Sequence, residues 1–270
     1  MKVESESEPK RRAKASLHTL RAGLVLPSIN TLTEPEFYRA IASGLTFHST
    51  RVFMAETTRE DLEAMNRQVA NACQLLVSTT PDIVVYACTS GTFVSGREEL
   101  NKLIDHMGNI TGCPIVATSE AMLEAFSFMN AKGVALVTPY PDEITRDESS
   151  FIQDQGYEVM FADGLGRSGK HVRTSPSVEV DALVEKAAKT SADLIFVSCT
   201  DLEAFHRVQD WEGRYGKTVL TSNQVTLWAA TNKFGTFSSP AKANIELAGW
   251  VRAQSLFTNP SKKGFKGGDH

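Results

Sequence analysis

Short runs of β-branched and aliphatic residues alternate with longer stretches of helical periodicity along most of this chain. The apolar runs, bounded by turn residues, predict strands over 22–26, 46–54, 83–87, 115–117, 134–138, 157–162, 194–198 and 218–221. Between them the pattern predicts helices over 34–43, 59–78, 93–106, 119–130, 143–155, 177–190, 202–213 and 223–233. Regular alternation of strand and helix is the signature of an α/β fold built on parallel sheets.

Within this alternation one phrase occurs twice. Asp82-Ile-Val-Val-Tyr-Ala-Cys88-Thr89 and Asp193-Leu-Ile-Phe-Val-Ser-Cys199-Thr200 each read as an acidic residue, a buried-strand run, a small residue and Cys-Thr. A second pair, Gly23-Leu-Val-Leu-Pro27 and Gly133-Val-Ala-Leu-Val-Thr-Pro139, opens each half. Pro139 follows Pro27 by 112 positions and Cys199 follows Cys88 by 111, so independent landmarks agree on one offset. The duplication predicts two pseudo-symmetric lobes facing across a cleft. The first comprises residues 22–118 together with 223–257, and the second residues 119–222. Residues 1–21 and 258–270 read as solvated, disordered tails.

In open parallel sheets ligands sit beyond the carboxyl ends of the strands. Five polar clusters fall there: Pro27-Ser28-Ile29-Asn30-Thr31, Cys88-Thr89-Ser90-Gly91-Thr92, Pro139-Tyr140, Cys199-Thr200 and Thr221-Ser222-Asn223-Gln224.

Composition narrows the class. With 41% hydrophobic and 22% charged residues and a net charge of -4, the 270-residue chain is globular, and its mild acidity argues against nucleic acid or an anionic membrane as partner. Its apolar runs are strand length, too short to span a bilayer. The first 21 residues alternate Glu and Ser and then turn basic, without the apolar stretch of a secretory signal. A cytoplasmic protein with reduced thiols is expected. The four cysteines, Cys73, Cys88, Cys113 and Cys199, form no C-x-x-C pair and no zinc spacing.

A free thiol, of pKa about 8.5, is only slightly ionised at neutral pH, so a nucleophilic cysteine needs help from its surroundings. Cys88 is followed by small donors, and no carboxylate intervenes before Glu98, whereas Cys199 is followed by Asp201 and Glu203. If Asp201 faces inward it opposes ionisation of Cys199; if it caps a helix it does not. Cys88 is therefore the candidate thiolate and Cys199 the candidate proton donor. Cys73 and Cys113 read as packing residues. Ser28, Asn30 and Thr31 precede the helix start Glu34-Pro35-Glu36 and offer either turn chemistry or a carboxylate cradle. Tyr140 sits opposite Ser28 in the duplication. Gly164-Leu-Gly166-Arg-Ser-Gly169 matches G-x-G-x-x-G, but no helix pattern follows it, so the dinucleotide reading fails. A mobile loop in which Lys170, His171 and Arg173 attract an anionic substrate fits better.

Taken in order, Pro27-Ser28-Ile29-Asn30-Thr31 with Glu34, Cys88-Thr89-Ser90, Thr138-Pro139-Tyr140, Ser198-Cys199-Thr200 and Ser222-Asn223-Gln224 resemble the maleate isomerase and arylmalonate decarboxylase branch of the aspartate/glutamate racemase superfamily. The resemblance implies two Rossmann-like lobes, no cofactor, a small carboxylate or dicarboxylate substrate, and a homo-oligomer. It implies Cys88 as nucleophile and Cys199 as acid/base. Carboxylates would then be held by Ser28, Asn30, Ser90, Tyr140 and the groups around Thr89 and Thr200. Cis-trans isomerisation by thiolate addition, bond rotation and elimination is the leading expectation. Racemisation, decarboxylation of a malonate-type acid and non-catalytic binding of a small acid are the alternatives. Arylmalonate decarboxylases have glycine where this chain has Cys88, which weighs against decarboxylation. Maleate isomerases carry an asparagine in the loop after the sixth strand. Here that loop reads Arg167-Ser168-Gly169-Lys170, so one contact to maleate is absent or replaced.

Overall fold

The computed structural model describes residues 19–237 and 245–258, so most of both expected tails lies outside the described residues. In chain order come β1 (Leu20–Pro27), α1 (Thr33–Ala40), β2 (Ile41–Ser43), β3 (Leu45–Val52), α2 (Arg59–Asn66), α3 (Val69–Val77), β4 (Ile83–Tyr86), α4 (Thr89–Phe93), α5 (Gly96–Thr111) and β5 (Ile115–Ala117). There follow α6 (Thr118–Phe128), β6 (Gly133–Thr138), α7 (Asp142–Asp154), β7 (Glu158–Gly164), α8 (Ser177–Ala188), β8 (Leu194–Val197), α9 (Val208–Tyr215) and β9 (Thr218–Thr221). The last elements are α10 (Ser222–Phe237), β10 (Glu246–Leu247), α11 (Gly249–Arg252) and α12 (Ser255–Thr258).

Two four-stranded sheets, both wholly parallel, run in the orders β3-β1-β4-β5 and β7-β6-β8-β9. Replacing β1, β3, β4 and β5 by β6, β7, β8 and β9 converts one order into the other, which is the repeat seen in the sequence. In each sheet the winding reverses between the first strand and the third, β1/β4 and β6/β8. The crevice beyond that point gathers the loops carrying Asn30, Cys88, Tyr140 and Cys199.

Period-two alternation divides the second sheet's side chains between two cores. Val134, Leu136, Phe196 and Leu220 join the large core containing the first sheet. Ala135, Val137, Ile195, Val197 and Val219 pack with Val180, Val184 and Trp211 of α8 and α9. Helix α6 falls in the segment expected to belong to the second lobe, yet it lies between the sheets. It packs on β5 and α10, while Phe126 sets its ring edge-on to Phe196 at 5.4 Å. One continuous apolar core therefore passes through both sheets.

Local departures from the sequence-based expectation have local causes. The single helix expected over 59–78 is interrupted between α2 and α3, where the Gln68 N–H bonds the Met65 carbonyl at 3.0 Å and its side-chain amide accepts from the Phe53 N–H at 3.1 Å and donates to the Phe53 carbonyl at 3.3 Å. The short α4 was hidden among small polar residues of weak helix propensity. The helix expected from 202 starts only at Val208, after a 3-10 turn over Phe205–Arg207. The edge pair β2/β10 is antiparallel and joins segments about 200 residues apart in sequence, beyond the reach of any local pattern. Strand β1 begins at Leu20, inside the expected N-terminal tail.

Beneath the second sheet's crevice, α7 carries the fully buried Glu148, whose two carboxylate oxygens lie 2.7 and 2.8 Å from the Ser198 hydroxyl. Burial pushes its pKa up to about 8, against the hydrogen bond's opposing pull. A carboxyl whose pKa is raised on folding contributes stability that is complete below its unfolded pKa and is lost as pH rises through the folded value. Glu148→Gln should therefore lose less melting temperature than wild type between pH 6 and pH 9, by at least about 2 °C in calorimetry. Parallel pH profiles would show that Glu148 is ionised in the fold throughout.

Candidate active site

Strand β4 ends at Tyr86, and two residues later Cys88 caps α4 in extended conformation. The Gly91 N–H donates to its sulfur at 3.3 Å, and the Ser90 hydroxyl lies 3.8 Å away. A Cβ at Gly91 would come within 2.6 Å of Met65 Cε and 2.8 Å of the Tyr86 hydroxyl, so a side chain here would displace the residues packed against this turn. After β8, Cys199 occupies the equivalent place with φ +90°, a left-handed conformation that costs on the order of 1–3 kcal/mol for a residue with a side chain. Its sulfur accepts the Asp201 N–H at 3.4 Å. Each thiol thus receives one backbone N–H from its own turn.

A buried lattice ties the two turns together. The Ser222 hydroxyl, at the head of α10, accepts from the Thr89 hydroxyl at 2.8 Å and from the Cys199 N–H at 2.9 Å. Thr200 donates its hydroxyl to the Ala87 carbonyl at 3.2 Å and accepts from Asn30 Nδ2 at 3.1 Å. Asn223 donates to the Thr200 carbonyl at 2.9 Å and to Glu36 Oε2 at 2.6 Å. Asp201 Oδ1 accepts the Thr31 N–H at 2.8 Å, so this carboxylate both caps the approach to α1 across the crevice and lines the cavity.

The cleft between the two turns encloses about 340 Å³ when the space at its open mouth is counted. Asn30, Cys88, Thr89, Ser90, Tyr140, Cys199 and Thr200 all line it. Ser28 does not; its hydroxyl exchanges hydrogen bonds with the Met54 backbone, donating at 3.2 Å and accepting at 3.1 Å. Asn30 spends both amide protons on Thr33 and Thr200, and its carbonyl takes the N–H groups of Leu32 and Thr33. The loop cations expected to attract an anion are also placed away from the lining. Arg167 pairs with Glu179, Arg173 pairs with Glu203, and Lys170 and His171 are exposed. Sequence reasoning missed Met54, Thr57, Gly169 and Val172, which complete the wall. They belong to two loops that grip each other: the Thr57 N–H donates to the Ser168 hydroxyl at 2.7 Å, and the Gly169 N–H to Thr57 Oγ1 at 3.3 Å. Gly169 has φ +55°, and a Cβ there would stand 2.5 Å from the Ala55 carbonyl. Only the glycine pattern could have flagged this approach.

Burial pushes the Cys88 thiol up to about 11, although the Gly91 N–H and Ser90 pull the other way. Cys199 is raised further, first by burial and then by the Asp201 carboxylate, against the pull of Tyr140 and the Asp201 N–H. The less acidic thiol is therefore the one beside the carboxylate. Among the described residues no His/Cys/Asp/Glu group could hold a metal, and no helix is long and apolar enough to cross a membrane.

Comparison with known proteins places this geometry. The chain is 23% identical to the maleate isomerase of Geobacillus stearothermophilus over 223 residues, covering 77% of this chain and 89% of that protein. It is 24% identical to the arylmalonate decarboxylase of Bordetella bronchiseptica over 216 residues, 79% and 90% of the respective chains. Its fold superposes on a maleate-bound Pseudomonas putida maleate isomerase variant with a TM-score of 0.76 at 23% identity, covering 80% of this chain and 92% of that one. A Nocardia farcinica maleate cis-trans isomerase, a cysteine-to-serine mutant with a covalently bound succinylcysteine intermediate, superposes equally well, with a TM-score of 0.76 at 23% identity and coverages of 80% and 93%. The profile of one family, arylmalonate decarboxylase, matches residues 22–245, and the chain belongs to that family.

Proposed function

We propose that this chain is a cofactor-independent cis-trans isomerase of a small unsaturated acid of the maleate type. The observation that carries the reading is a pair of thiols of unequal acidity, one delivered by each sheet, lining one small cavity. Cys88, once deprotonated, adds to one alkene carbon, and the π electrons move toward the carboxylate on the other. Cys199 gives that second carbon its proton, the new single bond rotates, Cys199 takes the proton back and Cys88 leaves as thiolate. Atoms and charge return to the start, so no cofactor is consumed. Tyr140 and Ser90 are the side chains with hydroxyls facing this chemistry. Thr89, Thr200 and Asn30, whose side chains are engaged in the lattice, contribute by holding the two turns in register. The succinylcysteine of the Nocardia farcinica enzyme is the adduct that thiolate addition to maleate would give. Four free cysteines suit a reducing compartment such as the cytoplasm, and the exposed Phe53, Leu75 and Val178 provide apolar surface for a homo-oligomer.

Racemisation is the second reading, because two thiols from opposite lobes also suit base and acid on either face of one carbon. Proton NMR of maleate, half-amides and amino acids in deuterated water separates the two readings, since isomerisation changes the alkene and racemisation exchanges the α-proton. Cys88→Ala should abolish turnover and any covalent adduct in intact mass. Cys199→Ser should lower turnover by about 10²- to 10⁴-fold while the adduct persists. An adduct that survives Cys88→Ala would assign the nucleophile elsewhere. Because Cys88 must lose a proton held up to about 11 while Cys199 keeps its own, kcat/KM should climb steadily from pH 7 to pH 9. A falling profile would mean that the thiols are not ionised in this order.

A further inference from the structure

Among the described residues Asp201 brings the only carboxylate to the cavity, and no lysine, arginine or histidine lines it. Its Oδ1 is held by the Thr31 N–H at 2.8 Å, whereas its Oδ2 is buried and has no hydrogen-bond partner. The residue is only 5% exposed. The cations that act on it are committed elsewhere: Arg51 to Glu34 and to the Asn30 carbonyl at 2.6 Å, and Arg173 to Glu203 at 3.2 Å. A buried acceptor without a donor is destabilising, and a second substrate carboxylate beside it would add like-charge repulsion without compensation. A bound group bearing N–H or O–H removes both penalties.

We infer that Asp201 Oδ2 accepts a hydrogen bond from the substrate, and that the substrate is an unsaturated monocarboxylate whose other polar end is a donor, as in the half-amide of a four-carbon diacid. This rests on the isomerase reading and narrows it. The carboxylate end lies by the Cys88 turn, and the neutral end lies by Asp201 in the Cys199 turn. Asp201 is then a specificity residue: it touches substrate without moving electrons.

Binding of saturated analogues tests the contact apart from the chemistry, because they cannot accept a thiolate. Calorimetry on the full chain should find succinamate bound at least ten-fold more tightly than succinate. In Asp201→Asn, and in Asp201→Ser, which keeps an oxygen able to cap Thr31, that ratio should fall to within about two-fold. Should both variants fail to fold, the wild-type ratio alone decides. Equal binding, a preference for succinate, a ratio that survives in a folded variant, or binding of neither analogue overturns the inference. Turnover of maleate and maleamate, followed in parallel by NMR, separates the two claims. Selective succinamate binding without turnover leaves the donor contact standing and removes the isomerase. Isomerisation without the binding preference does the reverse.

Discussion

Thr200 and Ser222 form the joint on which the site depends. The Ser222 hydroxyl accepts from the turn of each cysteine, and Thr200 reaches Ala87 in one sheet's crevice while receiving Asn30 and Asn223. Each such bond contributes only about 1 kcal/mol net, yet leaving any of these buried groups unpaired costs more than the bond gives. The lattice therefore acts as a unit. Its yield is positional: two thiols from sheets with no shared strand are fixed relative to one another by side chains that hydrogen-bond across the crevice.

The duplication gives both cysteines the same backbone setting, and a few side chains then make them different. Burial disfavours the thiolate at both positions. At Cys88 the neighbours are small donors; at Cys199 they include a carboxylate and a strained φ. Acidity is thus assigned by the residues just past each Cys-Thr pair. A symmetric scaffold therefore carries a pair of thiols that differ in acidity.

Much of this was legible in the chain. Strand runs such as 115–117 and 194–198, and the offset between the Cys-Thr turns, prescribe the repeated sheets, because buried parallel strands write themselves as continuous apolar runs. The cavity's polar rim was legible for the same reason, as the clusters sit at strand ends. The strand-end position of Ser28 does not reveal that its hydroxyl closes on the Met54 backbone. Thr57 and Val172 were invisible, since the loops that carry them meet only across more than 110 residues of chain. Glu36 and Glu148 read as ordinary surface acids on amphipathic helices, and nothing local distinguishes a carboxylate that will be buried beneath a crevice.

The continuous core through α6 and α10 has a mechanical corollary. Two domains joined by a hinge can part to admit a ligand, but here parting would expose Phe126, Phe196 and the apolar face they share. The sheets behave as one rigid vessel. By contrast, the two loops that close over the cavity are joined by two hydrogen bonds, between Thr57, Ser168 and Gly169, a far smaller contact than the apolar face that holds the sheets together.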